Sequence, residues 1–171
     1  MAEGLLRALL DERGVDATVS SAGITFEGRA ATDEATDAAR RYGVDISQHR
    51  SRIMDAELVH RADLVIAMER MHAREAVVLG DSLFRRCFTL KELVRRGEAV
   101  GPRGDETIEQ WLERVGDGRR PIELLGESPD DNVADPYLGS PKVYARCIAE
   151  LDDLVHRLVD LVWPVAEEGV A

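Results

Sequence analysis

Leu64-Val65-Ile66-Ala67-Met68 is an unbroken apolar run between polar flanks. A strand that is buried on both faces has this composition, and parallel strands are buried on both faces because helices cover the two sides of their sheet. The run is followed by a helical pattern that extends to residue 78, and then by a second short apolar segment at 86–89. Strand, helix and strand in this order predict two strands of a parallel sheet.

Short apolar runs and longer amphipathic runs alternate on both sides of this unit, which predicts an α/β fold whose parallel sheet is covered by helices. A further strand is predicted at 17–20, and helices are predicted at the start of the chain and at 32–42, 54–61, 90–96 and 143–162. Residues 97–120 are rich in glycine, arginine and acidic residues, and they predict a surface insertion that carries one amphipathic helix. We expect residues 1–171 to form a single domain.

The composition argues against several classes of protein. The 171 residues carry a formal net charge of -11 with both signs interleaved, and such a surface repels nucleic-acid phosphates and anionic lipids. We therefore expect no nucleic-acid partner. Charged residues interrupt the apolar stretch at 151–163, so we also expect no membrane insertion. Cys87 and Cys147 form no paired motif, and the N-terminus lacks the basic start of a signal peptide. These features predict a cytoplasmic protein.

The first helix begins without a residue that could serve as its N-cap, and it is amphipathic from residue 2 onward. An alternating α/β chain also normally has a strand before such a helix. The pattern alone leaves two interpretations open: a preceding segment is missing, or an N-terminal helix simply starts the protein.

Six segments carry a more specific pattern. They are Met1-Ala2-Glu3-Gly4 before a leucine-rich helix, Ser20-Ser21-Ala22-Gly23, Gly43-Val44-Asp45-Ile46-Ser47 with His49 and Arg52, residues 63–68, residues 122–126, and Asp135-Pro136-Tyr137 with Gly139. In order and spacing they resemble the low molecular weight protein tyrosine phosphatases over nearly the whole chain, apart from the insertion. The resemblance implies a small parallel sheet of strand order 2-1-3-4, a ligand site where that order reverses, and a Cys-x5-Arg loop directly before the first helix.

The resemblance also implies which parts of the chemistry the chain contains. Asp135 matches the family's general acid, which protonates the leaving phenolate and then activates water. The first strand, the nucleophilic cysteine and the phosphate-binding arginine are absent from the chain. Leu93 and Asp153 stand six positions after Cys87 and Cys147, where the motif needs arginine.

From the residues alone, Asp135 has a second interpretation as an Asx-turn before Pro136. A metal site built from Asp130, Asp131, Asn132 and Asp135 is a further alternative. The spacing of these four residues matches no known metal-binding loop, and the four histidines are scattered along the chain. We therefore expect no metal, and the thiol mechanism implied by the resemblance requires no cofactor.

Supporting roles follow from the resemblance as well. Ser21 matches a serine that braces the phosphate-binding loop, and His49 and Arg52 match a structural pair beneath the site. Tyr137 matches an aromatic wall for the substrate ring. The family often has a second aromatic residue there, and Leu138 departs from that pattern.

The resemblance predicts a protein tyrosine phosphatase that hydrolyses phosphotyrosine through a cysteinyl-phosphate intermediate, with a tyrosine-phosphorylated protein as its partner. Because the nucleophile loop is absent, we expect the 171-residue chain itself to be a truncated and inactive form. One alternative is a catalytically dead, phosphatase-like protein that binds partners without turnover. An arsenate reductase is less favoured, because Cys87 and Cys147 do not supply its redox pair. The sequence does not indicate an oligomeric state.

Overall fold

The computed structural model describes residues 1–165. The elements in this part of the chain are α1 (Ala2–Glu12), α2 (Asp33–Arg40), α3 (Ala56–Arg61), β1 (Val65–Ala67), α4 (Arg70–Val78), a 3₁₀ helix (Asp81–Arg86), β2 (Cys87–Thr89), α5 (Leu90–Val100), α6 (Ile108–Val115), a second 3₁₀ helix (Pro121–Leu124) and α7 (Pro141–Val162). Within these residues no helix is both long enough and apolar enough to cross a membrane.

β1 and β2 form a parallel sheet, and α4 lies in the crossover between them. β2 is buried along its whole length, as expected for a strand that helices cover on both faces. The register aligns Val65 with Cys87, Ile66 with Phe88 and Ala67 with Thr89. The predicted α/β fold with a small parallel sheet is confirmed.

The sheet has two strands in the described part of the chain, whereas three were predicted, because the resemblance implied four in the order 2-1-3-4 with the first expected to be absent from this chain. The predicted strand at 17–20 forms no ladder, because a strand requires main-chain bonds to a neighbour and this segment pairs with none of residues 1–165. Close to it, Gly23 makes a single parallel bridge to Ile53. β1 therefore keeps one edge without a strand neighbour among the described residues.

α7 is the central element of the core, and it packs against α1, α2 and α5. It begins at Pro141, before the predicted start at residue 143. Proline is well suited to the first position of a helix, because its missing N–H would have had no partner there. The buried side of α7 consists of Tyr144, Cys147, Ile148, Leu151, Leu154, Val155, Leu158, Val159, Leu161 and Val162.

The segment 97–120, predicted as a surface insertion with one helix, contributes α6 to this core. The Trp111 side chain is fully buried, with 0% relative exposure, and its indole N–H donates to the Gly101 carbonyl at 3.0 Å. Gly97 makes this packing possible, because a Cβ atom there would lie 2.9 Å from Leu161 Cδ1 and 3.1 Å from the Trp111 ring. α6 is thus amphipathic, with its apolar face in the interior and Glu109 and Glu113 exposed on the other side, and the assignment of 97–120 as a surface insertion stays a prediction.

Candidate active site

The loop that precedes Asp135 is fixed at the carboxyl end of β1. The backbone N–H of Val133 donates to the carbonyl of Met68, just beyond β1, at 2.8 Å. The side-chain oxygen of Asn132 accepts from the backbone N–H of Arg70, the first residue of α4, at 2.9 Å. These two bonds place the loop beside the edge where a ligand site of an open parallel sheet is expected.

Asp131 is the main anchor of this loop. One carboxylate oxygen of this buried residue accepts from Arg70 Nε at 2.8 Å and from Arg70 Nη2 at 2.6 Å. The other oxygen accepts from Arg95 Nη1, in α5, at 2.8 Å. Burial acts to raise the pKa of Asp131, but the hydrogen bonds and charges of Arg95 and Arg70 outweigh it and hold that pKa below its ordinary value. Sequence reasoning considered Asp131 only as a metal ligand, and this use as an anchor was missed.

Asp135 is exposed, and its Oδ1 accepts a hydrogen bond from the backbone N–H of Tyr137 at 3.0 Å. This is the Asx-turn that the sequence allowed. The turn orients the carboxyl group without burying it, so the same side chain remains accessible for proton transfer. Leu138 follows with a φ of 60°, a left-handed conformation that is uncommon outside glycine.

The side chain of Tyr137 has an aromatic neighbour that the sequence did not indicate. Its ring centroid lies 6.1 Å from that of Phe26, with the two planes inclined at 53°. The guanidinium of Arg29 lies over the Phe26 ring at 3.9 Å from the centroid, within cation–π range. Phe26 and Tyr137 are both partly exposed and together form an aromatic surface beside Asp135.

Ser21, His49 and Arg52 come together at the first turn of α1, where Ser21 and His49 contact Glu3 and Arg52 contacts Ser21. The Ser21 hydroxyl donates to Glu3, and His49 Nδ1 lies 3.6 Å from the same carboxylate oxygen. Arg52 Nε donates to the Ser21 carbonyl at 2.7 Å. Glu3 also accepts from Arg7. Burial opposes ionisation, but the hydrogen bonds from Ser21 and Arg7 and the nearby positive charge leave the pKa of Glu3 below its ordinary value.

The two cysteines do not have the character of nucleophiles. Burial raises the pKa of the Cys87 thiol to about 12, and its Sγ lies 3.7 Å from the Ala73 carbonyl. Burial also raises the pKa of Cys147, and the charges of Glu150 and Asp135 act in the same direction. A nucleophilic cysteine requires a lowered pKa, so both residues behave as small buried apolar groups.

The described residues contain no cluster of three histidine, cysteine or carboxylate side chains that is arranged to hold a metal ion. Asp131 in particular is occupied by two arginines. Asp135 is an exposed acid next to the aromatic surface of Phe26 and Tyr137.

A family model described as "Low molecular weight phosphotyrosine protein phosphatase" matches residues 1–100, more than half of the chain. The chain belongs to this family. Ser21, His49 and Arg52 lie within the matched residues of this low molecular weight phosphatase, whereas Asp135 and Tyr137 lie beyond them.

Individual relatives extend the similarity. A probable low molecular weight protein-tyrosine-phosphatase of Ralstonia solanacearum, EpsP, is 37% identical over 94 residues, which cover 54% of this chain and 62% of that protein. The protein-arginine-phosphatase of Bacillus subtilis (strain 168) is 28% identical over 160 residues, which cover 92% of this chain and 84% of that protein. The crystal structure of the low molecular weight protein tyrosine phosphatase from T. tengcongensis superimposes with a TM-score of 0.67 at 30% identity, over 93% of this chain and 87% of that one.

Proposed function

We propose that this low molecular weight phosphatase removes the phosphoryl group from tyrosine-phosphorylated proteins, with Asp135 as general acid and base. The observation that carries the proposal is the placement of Asp135. It is exposed on a loop anchored at the carboxyl end of β1, and its neighbour Tyr137 forms an aromatic surface with Phe26. An aromatic surface beside an acid suits an aryl phosphate, whose ring can stack while its oxygen receives the proton.

In the proposed reaction a cysteine thiolate attacks phosphorus, and the bond to the phenolate oxygen breaks. Asp135 gives its proton to that oxygen and becomes a carboxylate. The carboxylate then takes a proton from water, which attacks the cysteinyl phosphate and releases inorganic phosphate and the thiolate. The Tyr137 N–H bond to Oδ1 holds the carboxyl group in a fixed orientation during both steps.

The thiolate and the phosphate-binding arginine of this reaction are not supplied by Cys87 or Cys147, which are buried and lack an arginine six positions later. We propose that residues joined to Met1 supply them. The start of α1 supports this assignment, because a helix N-terminus favours an anion and lowers the pKa of a nearby thiol. On this proposal the 171 residues alone are inactive. The proposed compartment is the cytoplasm, because a thiol nucleophile must stay reduced and free thiols persist there.

The first prediction concerns Asp135. In a form of the protein that carries a Cys-x5-Arg loop before Met1, Asp135→Asn is expected to lower kcat for phosphotyrosine by about 10²–10⁴, the usual contribution of a general acid. A nitrophenyl phosphate should be less affected, since its leaving group needs less protonation. Asp130→Asn is the matched control, because Asp130 is exposed on the same loop. An unchanged kcat in Asp135→Asn would remove this residue from the mechanism.

Phosphoarginine is a second candidate substrate. The relative that aligns over 92% of this chain is a protein-arginine-phosphatase, and the wall here has Leu138 where a second aromatic residue would favour a tyrosine ring. The ratio of kcat/KM for matched phosphotyrosine and phosphoarginine peptides decides between the two. Activity toward neither, with retained binding of a phosphopeptide, would favour the catalytically dead alternative. An arsenate reductase is disfavoured by the raised pKa values of both thiols.

A further inference from the structure

A small cavity lies next to the loop that Asp131 anchors, between this loop, α5 and the second 3₁₀ helix. Its volume is about 60 Å³. Since a buried water needs roughly 10–15 Å³ by this measure, the space holds several waters or one tetrahedral oxyanion. We call it the arginine cavity, because its lining contains Arg70, Arg95, Arg96, Arg119 and Arg120, with Glu92, Glu123 and Asp131 as the acidic residues.

The charged groups of the arginine cavity form two chains of ion pairs. In the shorter chain, Asp131 lies between Arg70, at 2.6 Å, and Arg95, at 2.8 Å. This chain begins and ends with arginine, so it carries one positive charge in excess.

The longer chain also begins and ends with arginine. Arg119 contacts Glu92 at 2.7 Å, and Glu92 contacts Arg96 at 3.2 Å. Arg96 then lies 3.7 Å from Glu123, which contacts Arg120 at 3.2 Å. Five arginines against three carboxylates leave two positive charges around one cavity. The protein as a whole carries a net charge of -11, so this concentration of positive charge is local.

The arginines at the ends of the two ion-pair chains differ in how many of their guanidinium N–H groups already donate hydrogen bonds. Arg119 is only 2% exposed, and it donates to Glu92, to the Phe84 carbonyl and to the Cys87 carbonyl. Arg95 and Arg120 are 53% and 72% exposed. Among the described residues Arg95 donates through Nη1 alone and Arg120 through Nε alone, which leaves further N–H groups of both available.

We propose that the arginine cavity is a second oxyanion site, separate from the site at Asp135, and that it binds a doubly charged tetrahedral phosphate. The charge of such an anion matches the two uncompensated positive charges. The planar guanidinium groups of Arg95 and Arg120 present paired donors that suit phosphate oxygens. A bound phosphate holds α5, the second 3₁₀ helix and the Asp131 loop together. That loop leads directly to Asp135.

Hydrogen–deuterium exchange of the purified protein, measured by mass spectrometry with increasing inorganic phosphate at constant ionic strength, tests the proposal. We expect saturable protection of residues 90–96, 119–124 and 128–133. The double variant Arg95→Gln/Arg120→Gln should weaken this binding by at least about tenfold, because it removes two charged donors and both uncompensated positive charges of the cavity.

The matched control is Arg40→Gln/Arg61→Gln. These arginines are 68% and 79% exposed and make short-range ion pairs on α2 and α3, so the charge change is equal and the phosphate response should persist.

Phosphorylated and unphosphorylated forms of one peptide distinguish a free ion from a phosphate on a protein chain. Protection of the same segments by either phosphate source supports the site. Absence of saturable protection, protection confined to residues near Ser21 and Asp135, or equal affinity in the cavity double variant would overturn the proposal. Because the readout is exchange, it is independent of whether the chain hydrolyses phosphotyrosine.

Discussion

Asp131 shows how a single carboxylate can set the position of a functional loop. It joins α4 through Arg70 and α5 through Arg95, and it lies four positions before Asp135. Removal of its charge leaves two arginines without their shared partner. The loop then loses the ion pairs that join it to both helices, while the bond from the Arg70 backbone N–H to Asn132 remains.

We predict that Asp131→Asn lowers the free energy of unfolding at pH 7 by about 1–3 kcal/mol. This is less than the 3–5 kcal/mol of a fully buried pair, because Arg95 is half exposed and partly screened by water. The pKa of Asp131 is lowered in the folded protein, so its stabilisation is complete above the ordinary value of 3.8 and is lost as the pH falls through the folded pKa. Urea unfolding should therefore show a gap between wild type and variant at pH 7 that shrinks at pH 3.

Asp130→Asn is the control for this prediction, because its side chain is exposed on the same loop. We expect its unfolding free energy to stay within about 0.5 kcal/mol of wild type. A gap between Asp131→Asn and wild type that is unchanged at pH 3 would contradict the role given to the ionised carboxylate.

Among the individual residues of the candidate site, the sequence indicated only some. Ser21, His49 and Arg52 were found through the resemblance, and they do lie together. Glu3, which Ser21 and His49 contact, is in a quoted motif, but no local spacing assigned it a role. Asp131 was not recognised as an anchor because its partner arginines lie 61 and 36 positions away in the chain.

Among the elements, α6 gives the sharpest test of the fold. Trp111→Ala should lower the free energy of unfolding by about 3–5 kcal/mol, since it removes a fully buried aromatic side chain and leaves a cavity against α5. Glu113→Ala, exposed on the same helix, should change it by no more than about 0.5 kcal/mol. Chemical denaturation measures both variants. A small effect for Trp111→Ala would contradict the close packing of α6 against α5.

Sequence periodicity predicted the helices well but misjudged some of their ends. α5 was expected to end at residue 96, before Gly97, yet it continues to Val100. Glycine usually weakens a helix, but here the absence of a side chain lets Leu161 and Trp111 approach. Long-range packing of this kind is not visible in the local pattern. The strand expected at 17–20 does not form for another reason: a strand ladder requires a partner strand elsewhere in the chain, and the local pattern does not show whether one is present.

For the whole molecule, the edge of β1 predicts behaviour in solution. Unpaired main-chain groups at the edge of a short, partly buried strand favour pairing with another chain. We predict that the isolated 171-residue chain associates as its concentration rises, which light scattering coupled to size-exclusion chromatography would detect. A monomer at all concentrations, with a sharp cooperative thermal transition, would contradict this expectation.

The same edge makes the protein a candidate for split-protein complementation. Strand addition relies mainly on main-chain hydrogen bonds, so a synthetic apolar peptide could occupy the position beside β1 without a covalent connection. On the function proposed above, we predict that such a peptide, if it ended in a Cys-x5-Arg sequence, would give phosphatase turnover when mixed with the chain, and that the turnover would report their association. The strand edge would then serve as the assembly point of an enzyme made in two parts.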